Sequence, residues 1–207
     1  MILEEIFKEI IAELDSIDST RERVMVLSRD GVRACSEAIK KLHRKEAGVS
    51  GLLEKARENL KSITSIANEN PKFQRSGHLI TLFQEYVEAL ALHWIITGEE
   101  FQAPSTIEPP VPVIPYLTGL CDVIGELRRA CLDCVRTEKF DEAMKYFDFM
   151  EQLHDIINSL DYPNAVIPNI RHKSDVNRKL INATRSDLTM AIHIDKLNKN
   201  LGNVSKD

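Results

Sequence analysis

Apolar residues recur at i, i+3, i+4 and i+7 along almost the whole chain, and strand-like alternation persists nowhere, so the pattern predicts an all-α protein. Leu3, Ile6, Phe7, Ile10, Ile11 and Leu14 share one face of a first helix over Leu3–Leu14. Ser19 or Thr20 can cap a second helix carrying Val24, Leu27, Cys35, Ala38, Ile39 and Leu42, unless the two segments run on as one. Gly48 to Gly51 predicts a break, Leu52–Ala67 the next helix, and Asn70-Pro71 its end before a strongly apolar helix over Phe73–Thr97 that Gly98 stops. The connection from Gly98 to Pro115 holds five of the eight prolines and reads as an extended surface crossing. Helices are predicted again over Tyr116–Val135, Phe140–Leu160 and Arg171–Leu201, the last two separated by a turn around Tyr162-Pro163-Asn164. The expected architecture is a single-domain bundle of about seven helices over residues 1–201, with a loose tail over 202–207.

Composition fits such a domain: 207 residues, 43% hydrophobic and 29% charged, can bury a substantial core. A net charge of -5 excludes a protein that coats nucleic acid through overall basicity, so any such contact needs a local basic patch. The N-terminus has neither the basic region nor the apolar core of a secretory signal, and no uninterrupted apolar run approaches the roughly 20 residues of a membrane span. The expectation is a soluble, cytoplasmic protein without a membrane partner. Cys35, Cys121, Cys131 and Cys134 are too sparse for a disulfide scaffold and read as reduced, packed thiols rather than a redox or metal CxxC pair.

Charge changes the picture between Ser76 and Leu127. That stretch contains no lysine or arginine, yet Glu85 and Glu88 stand three apart on one predicted helix, and Asp122 and Glu126 four apart on the next. The first pair continues a polar stripe through His78 and Thr81; the second lies between Thr118 and Arg129. By spacing alone, solvent-facing stripes are the commoner reading. Exposed faces usually mix both signs, however, as Glu54, Lys55, Arg57, Glu58 and Lys61 do, and acids without basic neighbours call for some other neutralising charge. Hard oxygen ligands suit Mg2+ or Mn2+, and two side-by-side helices could bring both pairs to one point, with Gly119 and Gly125 allowing close approach. A di-iron bundle would need Glu-x-x-His on two helices, and only Glu151 to His154 fits. No phosphate-binding glycine loop, zinc pattern or nucleophile triad signature is present.

A basic face accompanies the acids. Arg29, Arg33, Lys40 and Arg44 follow steps of 4, 7 and 4 residues, with Arg21 two turns before, a spacing that suits a phosphate backbone or an ordinary solvated face. Arg75 and His78 precede Glu85 on the acidic helix and could hold a strand beside a metal, and Arg171, Lys173, Arg178, Lys179 and Arg185 form a further basic cluster.

Several segments together resemble the translin superfamily, and its Trax branch more than translin itself: Arg23-Val24 through Leu27-Ser28-Arg29-Asp30, Leu42-His43-Arg44, Gln84-Glu85-Tyr86-Val87-Glu88-Ala89, Tyr116-Leu117-Thr118-Gly119 and Gly125-Glu126-Leu127. Arg171-His172-Lys173-Ser174-Asp175-Val176 and Arg185-Ser186-Asp187-Leu188-Thr189 extend the resemblance over nearly the whole chain. It implies a bundle of about seven helices and a closed hollow oligomer, a hexamer or octamer, that binds single-stranded RNA or DNA inside. It further implies a magnesium-dependent endoribonuclease whose catalytic and metal-holding acids match Glu85, Glu88, Asp122 and Glu126, and the family's nucleic-acid-binding residues ahead of the first acidic helix are matched loosely by Arg75 and His78. Together with the basic faces read from spacing, the nucleic-acid-binding candidates are Arg21, Arg29, Arg33, Arg75, His78 and Arg129. The shorter connection between the acidic helices and the lack of a basic import run suggest assembly from one chain type rather than with a translin-like partner. A non-catalytic single-stranded nucleic-acid scaffold is the alternative.

Overall fold

The computed structural model describes residues 2–204. They form six α-helices and one 3-10 turn: α1 (Ile2–Arg44), α2 (Val49–Glu69), the 3-10 turn Pro71–Phe73, α3 (Gly77–Thr97), α4 (Val113–Arg136), α5 (Phe140–Asn158) and α6 (Ile170–Val204). The all-α expectation holds, with one helix fewer than expected because the first two segments run on as α1. No proline interrupts residues 2–44, and Asp18–Arg21, Asp30–Arg33 and Glu37–Lys40 pairs brace the exposed side at i, i+3. The chain divides into two compact units, one up to Tyr116 and one from Leu117 onward.

In the first unit α1 and α2 each bring one apolar face to the interior: Val24, Ala34, Cys35, Ala38, Ile39 and Leu42 from α1, and Leu53, Ala56, Leu60, Ile63 and Ala67 from α2. Helix α3 packs against both, which explains why it is apolar nearly all round. By length and composition it is the one described helix that could cross a membrane, a test that the core helix of a soluble protein also meets, and 56% of its most apolar window is buried within the protein. Gly31 sets its distance from α1. A Cβ there would lie 2.6 Å from Leu82 Cδ1, so only hydrogen fits between the helices. Ser28 Oγ donates to the carbonyl of His78 at 2.8 Å and ties down the start of α3, and Gly98 ends the helix in the left-handed conformation, φ 77°.

Two expected boundaries moved. Gly51 lies inside α2, and the break is made by Lys45, φ 55°, and Gly48, φ 93°; Pro71–Phe73 form a separate 3-10 turn, so α3 starts at Gly77 rather than at Phe73. The proline-rich crossing is anchored as well as extended. Ile107 and Val111 are buried, Phe101 packs on Trp94 with ring centroids 5.4 Å apart, and Glu108 pairs with Lys61 at 2.9 Å and Arg57 at 3.7 Å on α2. It ends earlier than expected, because Pro115 sits in the first turn of α4, where a missing N–H costs nothing.

In the second unit α5 buries Ala143, Phe147, Met150, Leu153 and Ile157, and α6 contributes Ile170, Ile181 and Leu188. Hydrogen bonds tie α4 to α6. Asn177 donates to the Cys121 carbonyl at 2.9 Å, and Arg128 donates to the Thr184 hydroxyl at 2.6 Å and to Asp187 at 3.0 Å. Gly202 to Val204, expected in the loose tail, continue α6; residues 205–207 of that expectation lie outside the described residues.

Candidate functional site

The two acidic pairs belong one to each unit. On α3, Glu85 and Glu88 lie within one turn and both are half-buried, unlike Glu54 and Glu58 of the solvated α2 face, which are exposed. Their neighbour from α1 is Cys35, a fully buried thiol whose pKa is driven well above the ordinary value by burial and then by the negative charges of Glu85 and Glu88. The thiol therefore stays protonated. It can serve neither as a nucleophile nor as a thiolate ligand, and it forms an uncharged floor beside the two carboxylates.

On α4, Asp122 and Glu126 are also half-buried, but their setting differs. Lys173 reaches from α6 to the Asp122 carboxylate, and Arg129 stands 3.8 Å from Glu126 one turn along. This corrects the idea that something other than a salt bridge must neutralise the acids: Lys173 lies 51 residues away and folding returns it. Lys173 also moderates the field around Cys121, whose pKa is pushed up to about 12 by burial and then by the Asp122 charge. Gly125, expected to permit close helix approach, faces open space, with nothing within 4 Å of where a Cβ would stand.

Of the basic candidates, Arg21 is paired with Asp18 at 3.1 Å and Arg33 lies 3.7 Å from Asp30, while Arg29, Arg75 and His78 are exposed. Lys173 and Cys35 are the site neighbours that sequence reasoning missed. Neither carries a local signal, since each becomes a neighbour only through helix packing.

Among the described residues no group of three or more His, Cys, Asp or Glu side chains is set to hold a metal ion. Each pair by itself offers two carboxylates, hard oxygen donors that suit Mg2+ or Mn2+ and not a thiolate-loving ion. In the one Glu-x-x-His motif, the Glu151 carboxylate is paired with Arg185 of α6. All four cysteines are buried and outside any disulfide; Cys134 Sγ lies 3.8 Å from Glu142, and burial followed by Cys134 pushes the Cys131 thiol up to about 11. Cys131 and Cys134 are thus buried, packed thiols.

The chain resembles known proteins over most of its length. An uncharacterised protein of Methanocaldococcus jannaschii is 34% identical over 197 residues, covering 94% of this chain and 86% of that one. Translin-associated protein X of Rattus norvegicus is 26% identical across 72% of this chain, which spans 65% of that protein's length. The AfC3PO–duplex RNA complex shares the fold with a TM-score of 0.80 and 27% identity, covering 96% of this chain and 100% of that one. The Translin family model matches residues 3–183, and this chain belongs to the Translin family.

Proposed function

We propose that the protein is a metal-dependent endoribonuclease acting on single-stranded RNA, with Glu85, Glu88, Asp122 and Glu126 as its catalytic, metal-holding carboxylates. The observation that carries this reading is the half-buried setting of all four acids in a chain of the Translin family, a family with an RNA complex among its solved structures. Half-burial of like charges costs stability, and a hydrolytic role explains its persistence. Membership of the family supports RNA binding and a translin-type assembly.

The carboxylates would hold Mg2+ or Mn2+, which supplies an activated water and offsets charge developing on the phosphoryl group. The chain's own residues do the rest. Lys173 fixes the orientation of Asp122, and Arg129 restrains Glu126 from one turn away. Cys35, kept neutral, leaves Glu85 and Glu88 as the anionic groups on their face. Exposed Arg29, Arg75 and His78 are available to phosphates, whereas Arg21 and Arg33 must first leave their aspartates.

The test is cleavage of end-labelled single-stranded RNA in Mg2+, Mn2+ or EDTA, with duplex RNA as the comparator. Internal cuts that need the metal are expected, with a loss of about 10²–10³-fold in Glu88→Ala and Glu126→Ala while RNA binding persists. RNA binding without cutting in either metal would instead make the protein a scaffold. Undiminished cutting by both variants would remove the carboxylates from the mechanism.

A further inference from the structure

The α4 acids carry cations of their own. Asp122 and Glu126 bring two negative charges, and Lys173 and Arg129 bring two positive ones, so the charge of this pair is matched before any metal arrives. The two cations are unequal. Arg129 is 54% exposed and stands 3.8 Å from Glu126 on its own helix, where water screens the pair. Lys173 is 25% exposed against an Asp122 that is 26% exposed, whereas Lys61 and Lys199, also in ion pairs, are 41% and 71% exposed.

The fold holds Lys173 in place against the local electrostatics. It lies in the first turn of α6, together with Arg171 and His172 and no acid, and a helix N-terminus repels positive charge. One turn further on, buried Asn177 donates to the Cys121 carbonyl at 2.9 Å, the residue just before Asp122. Positions 173 and 177 share a helix face, so the Asn177 contact sets the register that delivers Lys173 to Asp122. That backbone placement is fixed. The four-carbon lysine stem is flexible, and the ammonium can leave the carboxylate without any movement of α6.

An ammonium and a divalent cation compete for the same carboxylate. A dication on Asp122 would stand on the order of 5 Å from an ammonium still bonded there, and at an effective dielectric of about 20 their repulsion outweighs a change of about tenfold in affinity. The ammonium either swings away and gives up its charge-assisted hydrogen bond, or stays and repels the metal. Both weaken metal binding at Asp122.

We propose that Lys173 is a tethered counter-cation that competes with the metal for Asp122, so that this carboxylate stays neutralised in the metal-free protein and takes metal only when the divalent ion is abundant. The proposal rests on the metal-dependent reading of the four carboxylates. It makes Lys173 a positioning residue that acts through Asp122 and sets the metal concentration at which the site loads.

Mn2+ binding to the RNA-free full-length protein, read from the electron paramagnetic resonance of the unbound ion, tests this without reference to cleavage. Lys173→Met removes the charge and the donor, Lys173→Gln removes the charge and keeps an N–H donor, and Lys173→Arg keeps the charge. Tightening of Mn2+ binding by about tenfold or more is expected in the first two and not in the third. Adding Asp122→Asn to Lys173→Met should abolish the gain, since the lysine acts through that carboxylate. Melting supplies a second readout. In EDTA, Lys173→Met should melt below the unsubstituted chain because Asp122 loses its partner, and saturating Mn2+ should narrow or reverse that difference. Where Lys173→Met does not fold, Lys173→Gln decides. Mn2+ that binds the unsubstituted chain through Asp122 but binds the two uncharged variants no more tightly would overturn the competition and leave the carboxylates as metal ligands. Mn2+ binding that Asp122→Asn leaves unchanged in every background would overturn both readings.

Discussion

The acidic pair of α3 and the acidic pair of α4 look alike in sequence and sit in different settings. Glu85 and Glu88 interrupt an apolar helix beside a buried thiol whose proton their charge helps to retain. Asp122 and Glu126 belong to a helix laced to α6, where Lys173 meets Asp122, Asn177 meets the Cys121 carbonyl and Arg128 meets Thr184 and Asp187. The contrast teaches that a local run without lysine or arginine says nothing about charge brought in by tertiary contact. The second pair also has a restraint from a distant helix and one from its own: Lys173 of α6 donates a charge-assisted hydrogen bond to Asp122, and Arg129 forms an ion pair with Glu126.

The largest effect should come from the carboxylates themselves. If both pairs serve one reaction, Glu88→Ala and Glu126→Ala each lower RNA cleavage by about 10²–10³-fold, as single-turnover rates would record. A large loss in only one of them would break the equivalence of the pairs.

Backbone spacing gives the next test. Gly31→Val places methyl groups where Leu82 already lies, and a fall in unfolding free energy of about 3 kcal/mol is expected from denaturant titration. Gly125→Ala, facing open space in mid-helix, should instead gain up to about 1 kcal/mol from helix propensity. Equal destabilisation by both would show that α4 is as tightly approached as α1.

A smaller loss is expected on cutting the α4–α6 lacing. Arg128→Ala removes charge-assisted hydrogen bonds to Thr184 and Asp187 and should cost about 1.5 kcal/mol in the same titration. Thermal shifts close to zero would mean that the ionic restraint on the α4 side is incidental.

Smallest is the pH response of the crossing. The hydrogen bond from Lys61, reinforced by its charge, holds the Glu108 carboxyl below its ordinary value of 4.5. A depressed carboxyl stabilises the docked crossing above that ordinary value, and the contribution is lost as pH falls through the lower folded value. Amide protection factors in residues 103–111, taken relative to the intrinsic exchange rate at each pH, should therefore fall on acidification below about pH 4.5. The fall should be absent in Glu108→Gln, and an identical acid response in that variant would assign the effect elsewhere.

Much of the fold was legible because helix periodicity is local. The apolar steps of α2, α3 and α5, the left-handed stop at Gly98 and the exclusion of helix by clustered prolines each depend on a few neighbouring residues. Boundaries were less legible where two local signals compete. Ser19 and Thr20 look like caps, yet Thr20 turns its hydroxyl to the Ser16 carbonyl at 2.9 Å inside a continuous α1. Gly51 looks like a breaker, yet the left-handed residues of that turn are Lys45 and Gly48.

By itself the sequence determined the helical class, the identity and spacing of the four acids and the resemblance to the Translin family, because these reside in residue type and short-range periodicity. The tertiary structure alone decided that Cys35 borders Glu85 and Glu88, that Lys173 answers Asp122, and that Gly31 rather than Gly125 sets a helix contact. Those facts pair residues tens of positions apart. Such pairs form only when apolar faces pack, and no periodic signal along the chain records which polar groups that packing will bring together.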